Sequence, residues 1–244
     1  MEKRSRVDKL LALTGMSRAE AKKCVSQGRV ALAGAVVRDP GTKAALEELT
    51  LDGAPLDAER EVYLMLNKPA GVVTSTEDGR LPTVMTLLPE KYRRRGLGPV
   101  GRLDRDVTGL VILTTDGELA HRLISPKWKA EKTYHAYCEG ELTDADVGRF
   151  SEGIVLSDFT ALPAKLEILS ANDGQSSALV TLTEGKFHQV KRMFAAIGHP
   201  LIGLSRLRIG CVALDESLSK GEFRPLTAEE IRGLKRLTAL NKED

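Results

Sequence analysis

With 244 residues, 42% of them apolar and 29% charged, the chain has an ordinary globular composition and is long enough for two modest domains. Its longest apolar runs are only a few residues and no apolar core follows the charged start Met1-Glu2-Lys3-Arg4-Ser5-Arg6, so neither a membrane span nor a secretory signal is expected. Cys24, Cys138 and Cys211 are odd in number and far apart, which suits free thiols in a reducing compartment rather than a disulfide frame or a zinc site; a soluble cytoplasmic protein is expected.

The net charge of +2 hides an asymmetry: residues 1–43 carry ten Lys and Arg against four Asp and Glu, whereas residues 44–60 carry five acids against one Arg. That pattern suggests a basic face on a small N-terminal module. Residues 7–14 place apolar side chains at helical spacing, and Ser17-Arg18-Ala19-Glu20 is a capping box opening a second helix with Ala21, Cys24 and Val25 inward. Gly28 suits the position just past its end. Short β pieces follow at 29–33, 35–37 and 50–51, and residues 58–61 read as a linker.

Beyond it, strands are predicted at 62–66 and 72–75 around the turn Asn67-Lys68-Pro69-Ala70-Gly71, then a short helix at 83–88. Strand 110–114 precedes a helix through Leu119, Leu123 and Ile124; strand 132–138 precedes a helix opened at Thr143 and stopped by Gly153. Strands at 164–169 and 177–183, a helix at 188–197, a strand at 201–210 and a helix capped by Thr227 complete the chain. Many short strands with few helices imply an α+β fold on a largely antiparallel sheet.

One stretch stands out: Gly101-Arg102-Leu103-Asp104-Arg105-Asp106-Val107-Thr108-Gly109, preceded by the basic run Lys91-Tyr92-Arg93-Arg94-Arg95. A turn with charge-paired surface acids, an Asp-x-Asp metal site and a single catalytic carboxylate all fit this pattern. No neighbouring cluster of acids or His completes a metal set. Were 104–106 a strand end, Asp104 and Asp106 would share a face and only one need enter a cleft. On a helix from residue 188, Lys191 shares a face with Phe187 and His188, while Val190, Phe194 and Ile197 form the core stripe. Arg206 and Arg208 are expected on one face of their strand. Tyr134 and Tyr137 point to opposite sides of theirs. Walker, dinucleotide, metal-type His and nucleophile-elbow patterns do not occur.

Arg6-x-Asp8-Lys9, Ser17-Arg18 and Gly28-Arg29-Val30 with Gly34 resemble the S4-type RNA-binding domain over most of residues 3–57, with Val7 where the pattern usually has Leu. Gly101-Arg102-Leu103-Asp104-x-Asp106-x-x-Gly109-Leu110 is similar to the signature of ribosomal RNA pseudouridine synthases. Asn67-Lys68-Pro69-x-Gly71, Lys132-x-Tyr134 and His188-Gln189-Val190-Lys191-Arg192-Met193 resemble the same family's other motifs in the same order. The Phe-His-Gln-Val-Lys-Arg form, Arg206-x-x-x-Gly210 and Gly221-Glu222-Phe223-Arg224-Pro225-Leu226 resemble its small-subunit, RsuA-type branch.

The resemblance implies a small α/β S4-like domain at 1–59 and a catalytic domain at 62–244, built on a mixed, largely antiparallel sheet flanked by helices. It implies isomerisation of a uridine in ribosomal RNA, most closely the small-subunit 16S RNA, by a monomer with no cofactor, no metal and no membrane partner. Asp104 would be the essential carboxylate; an ordinary aspartic acid titrates near ~3.9 and is charged at neutral pH. Lys191 would pair with it, and Tyr134 would stack on the uracil and relay a proton. RNA would be held by Arg6, Lys9, Ser17, Arg18, Lys22, Lys23, Arg29, Arg102, His188, Gln189 and Arg206. A large-subunit target, a non-catalytic ribosome-assembly factor and a metal-dependent glycosyl transferase using both acids are the competing readings.

Overall fold

The computed structural model describes residues 4–56 and 61–240; residues 58–60 of the expected linker lie outside the described residues. Two compact units are present: the chain up to Val62 together with Leu88–Leu97, and Tyr63–Leu87 together with the chain from Gly98 onward. The basic run 91–95, which the sequence reading sets in the second domain, packs within the first unit.

The first unit begins with β1 (Ser5–Arg6), α1 (Val7–Ala12) and α2 (Arg18–Ser26), followed by β2 (Val30–Leu32), β3 (Ala35–Val36), β4 (Lys43–Ala44), β5 (Leu49–Leu51) and β6 (Ala54–Pro55). Ser17 and Glu20 form the expected reciprocal cap. Gly28, at φ +73°, ends α2 in a left-handed turn: Gly28 N–H donates to Val25 O and Arg29 N–H to Cys24 O. The inward face of α2 is Ala21, Cys24 and Val25, packed with Val7, Leu10, Leu11 and Leu49. β1 pairs with β4, and β3-β2-β5-β6 form a four-stranded antiparallel sheet. α3 (Glu90–Arg93) carries the basic run, and Arg94 pairs with Glu20 at 2.9 Å and with Glu90 at 2.6 Å.

Among the described residues of this unit, one acid is buried. Asp8, 1% exposed, accepts two hydrogen bonds from Arg6 at 3.1 Å each and is 2.8 Å from Arg18.

The second unit holds β7 (Tyr63–Lys68), β8 (Gly98–Pro99), β9 (Thr108–Thr114), α4 (Gly117–Ile124), β10 (Lys132–Glu139), α5 (Asp144–Glu152), β11 (Lys165–Asn172), β12 (Gln175–Leu182), α6 (Gln189–Ala196), β13 (Leu201–Ile209), β14 (Val212–Ala213), β15 (Phe223–Pro225) and α7 (Ala228–Leu237). Its sheet runs β11-β12-β10-β13-β9-β7-β15, with β14 on β13 and β8 on β9. Every pair is antiparallel except β13 with β9. β9 is buried on both faces from Gly109 to Thr114, as its unbroken apolar run demands. Leu110 and Ile112 pack with Leu119 and Leu123 of α4 and Leu234 of α7. Phe150 of α5 and Phe194 of α6 meet edge-on at 5.2 Å.

The parallel pair is unusually close. Gly109 sits at φ +102°, and a Cβ there would lie 2.3 Å from Arg206 O and 2.7 Å from Ser205 Oγ. Only glycine lets β9 leave the 101–107 turn at this spacing from β13.

The expected strand at 72–75 is not formed. Only Val73 bridges, to Thr83, because the neighbouring polar groups are turned elsewhere: Gly71 N–H donates to Arg105 O, and the Thr74 hydroxyl bonds both Leu103 O and Leu103 N.

In Asp8, burial pushes the carboxyl up, and the Arg6 hydrogen bonds with the Arg18 and Arg6 charges outweigh it, leaving the group below its ordinary value. A lowered folded-state pKa gives stability that is full above the unfolded value near ~3.9 and is lost as pH falls through the folded one. Asp8→Asn is expected to weaken the first unit by about 1–3 kcal/mol at neutral pH. It should also flatten that unit's acid sensitivity, read by amide exchange in α1 and α2.

Candidate active site

Asp104 lies in the turn between β8 and β9, closed by Val107 N–H donating to Asp104 O at 3.2 Å. The turn is not a strand end; β9 starts only at Thr108. Its backbone is gripped from below by Lys68 at the end of β7. The Lys68 side chain is wholly buried, and its Nζ donates to Pro69 O (3.0 Å), Asp104 O (3.2 Å), Arg105 O (3.2 Å) and Val107 O (2.8 Å). Burial lowers the Lys68 pKa to about 8 against the opposing pull of Asp106 and Asp104. The sequence offered a sign of this, a lysine closing an apolar strand, but gave it no role.

Above the turn, two side chains, Lys191 and His188, converge on the two acids. Lys191 Nζ is 3.1 Å from Asp104 Oδ2 and bonds both Asp106 oxygens at 2.7 and 2.8 Å. His188 Nε2 is 3.4 Å from Asp104 Oδ1. The strand-end premise needs correction, since these residues form a turn in which Lys191 reaches both acids, while of the two only Asp104 lines the cavity. The acids differ in setting, with the Asp104 side chain 29% exposed and that of Asp106 73%. The Lys191 hydrogen bond holds the Asp106 carboxyl below its ordinary value; burial pushes Lys191 down, yet both acids keep it raised.

Asp104, Tyr134, His188 and Lys191 line one cavity of about 70 Å³, floored by Leu103, Val107 and Leu204. Tyr134 is 8% exposed and comes from the middle of β10. Tyr137 is on the other side of β10, exposed, with its ring against His135 at 4.3 Å. His188 caps α6 in the left-handed conformation, φ +50°, which turns Phe187 outward to stack on the His188 ring at 3.8 Å. Phe187 is 71% exposed.

The remaining expected RNA contacts divide. Lys9, Lys22 and Lys23 are exposed and have no ion-pair partner among the described residues. Arg6 and Arg18 are bound to Asp8, and Arg29 is clamped on Asp52 by two hydrogen bonds at 2.9 and 2.5 Å. Ser17 is spent on its helix cap, and Arg102 is exposed beside the cavity. Gln189 is buried: it accepts from Lys186 N–H and donates to Glu184, so it shapes the 184–188 loop. Arg206 is buried as well, its Nε donating to Leu110 O at 2.8 Å.

Arg206 and Arg208 do not share a face. Thr133 pairs with Arg208 and Tyr134 with Arg206, so Leu207 is a bulge that reverses the alternation between them. Lys132, two residues from Tyr134 on the same face, is buried with Nζ donating to Leu123 O at 3.2 Å. The alternation of β10 could have placed it beside Tyr134. Among the described residues, no group of three or more His, Cys, Asp or Glu is positioned to hold a metal ion, and none is a helix long and apolar enough to cross a membrane.

Residues 62–196 match the family described as RNA pseudouridylate synthase, and residues 5–48 match the S4 domain. The chain is 42% identical to the ribosomal small subunit pseudouridine synthase A of Escherichia coli, covering 93% of this chain and 98% of that protein. It is 42% identical to the uncharacterized RNA pseudouridine synthase YtzG of Bacillus subtilis, covering 93% and 96%. A crystal structure of a pseudouridylate synthase, 40% identical, superposes with a TM-score of 0.67 over 94% of this chain and 99% of that one. The chain belongs to the RNA pseudouridylate synthases, which isomerise uridine to pseudouridine in RNA, and it carries an S4 domain ahead of the region that matches them.

Proposed function

We propose that the chain isomerises one uridine of small-subunit ribosomal RNA, in the cytoplasm and without a cofactor, with Asp104 as the essential carboxylate. The observation that carries this reading is the cavity itself: a partly exposed carboxylate facing the same space as Tyr134 and held by the ammonium of Lys191. Relatives named for the ribosomal small subunit, 42% identical across 93% of the chain, support small-subunit RNA over a large-subunit target.

The reaction breaks the N1–C1′ bond, turns the uracil and joins C5 to C1′; the proton leaving C5 balances the one gained at N1. No oxidant, reductant or co-substrate enters. Asp104 faces the sugar, either adding to C1′ or taking a neighbouring proton, and both steps need a charged carboxylate in a fixed direction. Lys191 supplies charge and direction, while Asp106 holds Lys191 from the solvent side. Tyr134 stacks on the uracil as it turns. The base must first leave its RNA stack, at a cost of a few kcal/mol. In this reading residues 1–59 offset that cost through phosphate contacts and residues 62–244 perform the chemistry.

Asp104→Asn is expected to lower kcat by about three orders of magnitude or more with RNA affinity retained, whereas Asp106→Asn, at the exposed end of the network, should cost about tenfold or less. Both are read by mapping pseudouridine in small-subunit RNA from a deletion strain carrying each variant; normal modification with Asn at 104 would defeat the assignment. Lys68→Met is expected to lower kcat by about a hundredfold through loosening of the turn, and to speed amide exchange at Gly71, whose N–H bonds Arg105 O. Replacing Lys22 and Lys23 together by Ala should reduce the salt slope of RNA binding by about 1.5. Titration at two salt concentrations tests it, with an unchanged slope placing the phosphate contacts elsewhere.

A further inference from the structure

A second cavity, of about 60 Å³, adjoins the first and shares Arg102, Tyr134 and Gly185 with it. Its other polar walls are Lys132 and Arg206, and among the described residues no acid borders it. That is roughly four times the space a single water needs. Lys132 is 9% exposed and Arg206 3%. Buried charges are normally paired, because leaving one unpaired costs several kcal/mol. Among the described residues, Lys132 Nζ bonds only the Leu123 carbonyl, and the buried Nη2 of Arg206 has no hydrogen-bond partner. Burial and the Arg206 charge together push Lys132 down to about 8, as expected of a cation that lacks a counterion. The Arg206 guanidinium is nevertheless well fixed, with Nε anchored on Leu110 O at 2.8 Å.

We propose that this cavity is a phosphate site, in which Lys132 and Arg206, with Arg102 at its edge, hold a phosphodiester of the RNA next to the uridine that meets Tyr134 and Asp104. The inference rests on the function proposed above and adds a subsite to it. Three cations with no acid among the described lining residues select for an anion, and the planar guanidinium of Arg206, which lines the cavity, is the group that matches phosphate oxygens. Lys132 and Tyr134 project from the same face of β10, so the anchored phosphate fixes the sugar relative to the stacked base. Lys132 and Arg206 are then positioning residues: they hold the nucleotide extruded and leave the bond changes to Asp104.

The test compares uridine 3′,5′-bisphosphate, which carries both phosphates flanking a nucleotide, with uridine, by calorimetry on the full chain. Wild type is expected to bind the bisphosphate at least about tenfold tighter, and Lys132→Met to bind the two within about twofold. Lys132→Met should also melt higher than wild type in anion-free buffer, because an uncompensated buried charge is gone, and orthophosphate should no longer raise its melting temperature. Arg206→Lys, which keeps the charge and loses the fork, should show an intermediate preference. Equal binding of both ligands by wild type, or a full preference kept by Lys132→Met, overturns the proposal. Orthophosphate that competes with the bisphosphate supports a shared site; orthophosphate that stabilises the protein without weakening the bisphosphate overturns the RNA as its source. The two readings fail separately: normal isomerisation by Asp104→Asn defeats the catalytic assignment and leaves the phosphate preference standing, whereas equal binding by an active enzyme defeats the subsite alone.

Discussion

The buried ammonium of Lys68 is the contact on which the candidate active site depends. It replaces its water shell with four main-chain carbonyls, three of them from the turn that carries both acids. A charge with no solvent tolerates little displacement of its ligands, so the turn has one conformation while Lys68 keeps its proton. Thr74 and Gly71 hold the same turn from the side, through Leu103 and Arg105. Asp104 is thereby fixed through its backbone, and its carboxylate, paired with Lys191, lines the cavity.

Around that turn, cations are sorted by burial. Lys191, half-buried, ties Asp104 to Asp106 in the open half of the cleft. Lys132 and Arg206 are more deeply buried and line the adjoining cavity with Tyr134, with no acid among its described lining residues. Positive charge beside a carboxylate orients it, and positive charge without one recruits an anion.

The first unit shows the same economy on its surface. Arg6, Arg18 and Arg29 look like a phosphate-binding set in the sequence, yet each is already tied to an acid, two of them to the buried Asp8. Lys9, Lys22 and Lys23 remain exposed. Paired arginines keep their exposed edges but contribute less net charge, so the lysines dominate the field that long-range RNA attraction follows.

Local chemistry was readable from the chain by itself. The Ser17 and Thr227 capping boxes, the Gly28 stop, the apolar stripe of α6 and the strand periodicities depend on groups a few residues apart, so their spacing determined them. The motifs around Asp104, Tyr134 and Lys191 determined the family for the same reason. Only the tertiary structure decided what closes over distance. Three of the four partners of Lys68 stand 36 to 39 positions along the chain, and the demand for Gly109 comes from β13 lying parallel to β9. The bulge at Leu207 sends Arg206 inward and Arg208 out, against the simple alternation of a strand. Burial decides whether a lysine is a surface charge, as Lys22 is, or a clamp on main-chain carbonyls, as Lys68 is, and burial belongs to the packed sheet rather than to any stretch of sequence.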